Sequence, residues 1–75
     1  MKTKKQRTLE MSINPEDGDH AVRYLADNGL TIDQIELIEN EFILTIVIDI
    51  IDDDVAIEKT KIIADYDRLL FFHIV

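Results

Sequence analysis

Strict alternation opens the ordered part of the chain: Arg7, Leu9, Met11 and Ile13 interleave with Thr8, Glu10 and Ser12. Successive side chains of a strand point to opposite faces, so this pattern predicts a half-buried strand over residues 7–13 with Leu9, Met11 and Ile13 inward. Asn14-Pro15-Glu16-Asp17 follows as a helix start. Asn14 is suited to accept free amide hydrogens of the first turn. Pro15 has no amide hydrogen to lose, and Glu16 and Asp17 complement the positive end of the helix dipole. Ala21, Val22, Leu25 and Ala26 are the expected buried stripe, and Asn28-Gly29 ends the helix where glycine tolerates a left-handed backbone. Residues 30–38 predict a second strand, Glu39-Asn40-Glu41 a tight turn, and residues 42–51 a third strand in hairpin with the second. Asp52-Asp53-Asp54 opens a second helix with Val55, Ala56, Ile62, Ile63 and Tyr66 on its inner side. Lys59 falls within that stripe, where its aliphatic stem can follow the apolar surface with the ammonium in water. Asp65 to Arg68 turns the chain into a last strand, residues 69–75.

Strand, helix, strand, strand, helix, strand is two crossovers joined by a hairpin. The expected fold class is therefore α+β, a ferredoxin-like βαββαβ sandwich. Right-handed crossovers give a four-stranded antiparallel sheet of order 4-1-3-2 with two helices on one face. Residues 7–75 make this single domain, and residues 1–6 a basic flexible arm.

The third and fourth strands are apolar on both faces. Phe42 to Val47 interrupts its apolar run only at Thr45, and Leu69 to Val75 only at His73. The open sheet face is expected to be polar at the first strand and apolar toward the third and fourth. It would carry Ile43 and Val47 with either Leu69, Phe71, His73 and Val75 or Leu70, Phe72 and Ile74. The expected interface is Ile43, Val47, Phe71, Phe72, His73 and Ile74, with Phe71, Phe72, Ile74 and Val47 as anchors, since buried aromatic side chains dominate contact energy. His73 would make that interface sensitive to pH.

Size sharpens the point. With 75 residues the core is marginal, and with no cysteine neither disulfides nor thiolate metal sites support it. Oligomerisation is the support that remains, so a homodimer or a larger protein partner is expected, with either the fourth strand pairing edge to edge or the open faces of two sheets stacking. No apolar stretch is long enough for a membrane helix and none follows the basic start as a signal core, which makes a cytoplasmic location the default.

Charge is unevenly placed. Lys2, Lys4, Lys5 and Arg7 are half of the eight basic residues, and all 16 acids lie from Glu10 onward. After Arg7, four bases (Arg23, Lys59, Lys61 and Arg68) face 16 acids, a net of −12. Such a body repels nucleic acid and anionic membranes. Asp52, Asp53, Asp54, Glu58, Asp65 and Asp67 are the candidate acidic surface, either for solubility or to imitate nucleic acid toward a basic partner.

Catalytic chemistry has little to stand on. Serine occurs once, at Ser12, and Gly18 and Gly29 are the only glycines, so no nucleophile with its base and no phosphate loop is recognisable. Asp17, Asp19 and His20, and separately Asp49 with Asp52 to Asp54, are oxygen and imidazole groups of the kind that hold divalent cations. Their spacing does not follow a calcium loop, and helix-start acids account for both groups. No cofactor, metal or enzymatic activity is expected.

Asn14-Pro15-Glu16-Asp17-Gly18, followed by Ala26-Asp27-Asn28-Gly29-Leu30-Thr31-Ile32, resembles the first strand–helix–strand of ACT-type regulatory domains. In this chain Pro15 and Gly18 are separated by two residues and His20 stands where that family usually has leucine. The resemblance implies side-by-side pairing and a small effector, such as an amino acid, near Asn14, Asp17 and Gly18. Three readings follow: an interaction module working through strands three and four, an acidic inhibitor that mimics nucleic acid, and an ACT-like sensor.

Overall fold

The computed structural model describes residues 5–75. Four strands and two α-helices follow in the order β1 Lys5–Ile13, α1 Gly18–Asp27, β2 Ile32–Ile38, β3 Glu41–Ile50, α2 Asp53–Ala64 and β4 Phe71–Ile74. The expected basic arm is thus shortened. Lys5 and Gln6 extend β1 by pairing with Ile50 and Asp49, and residues 1–4 lie outside the described part.

The sheet is antiparallel throughout. Its order is β2-β3-β1-β4 from one edge, hence β4-β1-β3-β2 from the other. This α+β arrangement is compatible with a ferredoxin-like sandwich. Leu9 lies opposite Ile46 and Met11 opposite Leu44. These residues form one buried cluster with Ile13, Ile48, Ala21 and Leu25 of α1, and Ile63 of α2. Both helices therefore cover one face, and the inward set of β1 is the one its alternation predicts.

Local chemistry explains the element boundaries. The chain enters α1 through a 3-10 turn, Pro15–Asp17. The backbone carbonyl of Asn14 accepts from Asp17 N at 2.9 Å, and the Asn14 side chain makes no capping bond. This corrects the expected side-chain cap: the tighter turn uses the carbonyl instead. α1 ends in a Schellman motif, with Leu30 N donating to Leu25 O at 2.9 Å and Gly29 N to Ala26 O at 3.0 Å. Gly29 takes φ 73° there. That motif holds Leu30 as a buried cap contact, and β2 starts only at Ile32.

The inner side of α1 is narrower than its sequence stripe. Ala21 and Leu25 are buried, whereas Val22 and Ala26 are exposed. Tyr24 takes the flank toward α2, where its hydroxyl donates to Ile62 O at 2.6 Å. In α2, Ala56 and Ile63 are buried and Val55, Lys59 and Ile62 half-buried. Lys59 lies along a depression with Leu30 and Val55, as an amphipathic stem allows. Asp52 caps this helix, its Oδ1 accepting from Val55 N at 2.9 Å. β4 is shorter than expected, although Leu70 N and Val75 N still donate to Ser12 O and Thr8 O of β1 at 2.9 Å each.

Candidate functional site

No element among the described residues covers the second face of the sheet, and the register states what stands on it. Ser12 lies opposite both Phe71 and Ile43, so Phe71, Ser12 and Ile43 form a row across β4, β1 and β3. The next row is His73, Glu10, Thr45 and Gln34. A third pairs Thr8 with Val47. Two part-apolar rows therefore flank a polar one. Within it, His73 Nε2 lies 2.9 Å from Glu10 Oε1. The hydroxyl of Ser12 donates to Glu41 Oε2 at 2.9 Å, so Glu10 and Glu41 both have partners on this face.

This register separates the expected interface residues. Ile43, Val47, Phe71 and His73 share the open face. Phe72, opposite Met11, and Ile74, opposite Leu9, point to the helix side. Phe72 packs partly buried against the core. Phe72 and Ile74 are both removed as anchors of the open face, because residues one apart on a strand point to opposite faces. Phe71 remains, with 51% of its surface exposed.

A second surface lies on the helix side, beyond the reach of the helices. Ile35 and Leu37 of the edge strand β2 are opposite Leu44 and Phe42, yet 48% and 63% exposed. Between Ile35 and α1 runs a groove of about 230 Å³. Val22, Ile35, Phe42 and Leu44 form its apolar walls, and Glu16 and Asp19 stand at its rim. Gly18 matters for its shape: a Cβ there would sit 3.0 Å from Phe42 Cε2, so the ring packs directly on the helix start. Sequence reasoning missed this surface. Its signal was present in residues 32–38, apolar at Ile32, Ile35, Leu37 and Ile38 on a strand assigned to an edge.

The residues of the ACT-like reading lie on the turn that leads into α1, beside this groove. Gly18 lines the groove. Asp17 is bound to Arg68 Nη1 at 3.2 Å, and Asn14 is exposed on the approaching turn. The possible cation group is divided, since His20 Nδ1 lies 2.7 Å from the Tyr66 hydroxyl. Among the described residues no three His, Asp or Glu side chains gather as metal ligands. Asp52, Asp53, Asp54, Glu58, Asp65 and Asp67 are all exposed, and Lys61 interrupts their line along α2.

The helices are joined by an aromatic pair. Tyr24 and Tyr66 have ring centroids 4.7 Å apart, with Tyr66 buried. Burial is the first cause that raises the Tyr24 hydroxyl above the ordinary tyrosine value, and the Asp65 and Asp67 carboxylates add to it. Burial also raises Tyr66, against a lowering by Arg68. Both hydroxyls stay protonated at neutral pH; that of Tyr24 donates to Ile62 O, and that of Tyr66 meets His20 Nδ1.

No protein-family model, curated protein or solved structure matches this chain. No helix among the described residues is long and apolar enough to cross a membrane.

Proposed function

We propose that this chain is a non-catalytic interaction module of ferredoxin-like form that self-associates, or docks on a larger protein, through the open sheet face at β3 and β4. The observation that carries this reading is Phe71, a large aromatic side chain half-exposed in the same cross-strand row as Ile43, with Ser12 between them, on a face that no element among the described residues covers. A protein of this size gains stability from burying such a face against a second molecule. Sedimentation should show a dimer that persists in high salt, because apolar contacts are not screened. Phe71→Glu should convert it to monomer while its circular dichroism stays that of the parent. An unchanged mass in Phe71→Glu overturns the reading, as does a parent that is monomeric at every concentration and binds no second protein through this face.

The exposure of all six acids on and around α2 favours one second reading, an acidic surface that occupies a basic nucleic-acid-binding partner. That surface would not itself bind nucleic acid. Association of this kind weakens steeply with added salt, so a salt-resistant complex counts against it.

A further inference from the structure

We propose that the outer edge of β2, with the groove beside it, is a docking site for an extended protein segment in which basic and apolar side chains alternate. The segment adds as a fifth strand. β2 is an edge of the sheet, and an edge strand presents unpaired backbone donors and acceptors to an incoming chain. Seven residues, Ile32–Ile38, give it the length of an ordinary strand, regular from Gln34 onward after an irregularity between Ile32 and Gln34. Side chains of the added strand alternate between the same two faces as those of β2. On the helix side they meet Ile35 and Leu37 and enter the groove against Val22 and Phe42. On the open side they meet Gln34 and Glu36, with Ile38 at the hairpin end.

Charge selects the occupant. Glu36 on the open side, and Glu16 and Asp19 at the groove rim, supply carboxylates on both sides of the edge. A second copy of β2 would bring Asp33, Glu36 and Glu39 against the same residues, between chains that each carry a net charge of −8. Like charges across a strand pair are destabilising. Lysine or arginine opposite Glu36, with an aliphatic residue on either side, meets both demands of the surface. This site is separate from the Phe71 face and does not depend on it.

The test uses the full chain, isotopically labelled, and a blocked synthetic peptide of about seven residues in which lysine and valine alternate. Amide NMR should show shifts confined to β2, Val22 and Phe42, and binding should weaken several-fold as salt is raised. A glutamate–valine peptide should not bind. Glu36→Lys should weaken the lysine peptide roughly fivefold, as expected for reversing one cross-strand charge pair, and admit the glutamate peptide. Leu37→Asp, at an exposed position, should remove binding without unfolding. Phe71→Glu should bind as the parent does. The proposal is overturned if the shifts fall on β4 or the open face, if both peptides bind alike, or if Glu36→Lys leaves the preference unchanged. It also fails if the free protein already holds a second copy at β2, seen as a dimer with protected β2 amides.

Discussion

At Tyr66 a buried hydroxyl reaches across from the end of α2 to His20, while Tyr24 sends its own hydroxyl back to a carbonyl in the last turn of α2. That carbonyl, on Ile62, is one of the last four of the helix, which lack partners within it. Tyr24→Phe and Tyr66→Phe should each lower unfolding free energy by about 1 kcal/mol, measured by urea denaturation; no change in either would show that the bonds have no net value. The same pair sets an alkaline limit. Both hydroxyls have folded-state pKa values raised above 10.0. Above pH 10.0 the unfolded chain therefore releases these protons first, and stability falls as pH rises toward the folded values. The double phenylalanine variant should lose that slope between pH 10.0 and the folded values, and a slope left intact would place its origin elsewhere. Tyr66 was legible in the sequence as an inward residue, although α2 ends at Ala64 and Tyr66 lies in the turn that follows rather than on the helix stripe. Its partner was not, because His20 and Tyr66 are far apart in the chain and meet only when both helices lie on one face.

Among the elements, the β2–β3 hairpin has an unusual turn. Glu39 and Asn40 both take positive φ, 48° and 67°, between the paired residues Ile38 and Glu41. This is the handedness that matches strand twist, and it suits asparagine or glycine far better than glutamate. Glu39→Asn should raise stability by about 0.5–1 kcal/mol, read from the thermal midpoint; a decrease would mean that the Glu39 side chain has a role of its own. The opposite case is Gly29, where φ is 73° and an added Cβ would meet no atom within 4 Å. Gly29→Ala should cost about 1 kcal/mol through backbone conformation alone. Turn residues made both punctuation points readable. The start of α1 was readable only in outline: Asn14 and Pro15 announce a helix, but whether the first turn uses a side chain or a backbone carbonyl depends on how β1 delivers the chain.

For the whole molecule, the net charge of −8 acts against compactness. Raising ionic strength from very low values to about 0.15 M should raise the thermal midpoint by screening this repulsion; a midpoint that falls would show that attractive pairs such as Arg68–Asp17 outweigh it. Charge and element order are properties of the sequence by itself, as is the inward set of β1, because a period of two or 3.6 declares which side chains share a face before any partner is known. The tertiary structure decided the rest. Only the pairing of β4 with β1 puts Phe71 and His73 on the open face and turns Phe72 toward the core, since a shift of one residue exchanges the two faces of a strand. Likewise, Ile35 and Leu37 look like ordinary core residues until α1 and α2 are seated. The helices reach over β1 and β3 but leave the β2 edge bare, and the sequence of a strand does not record how far its neighbours extend.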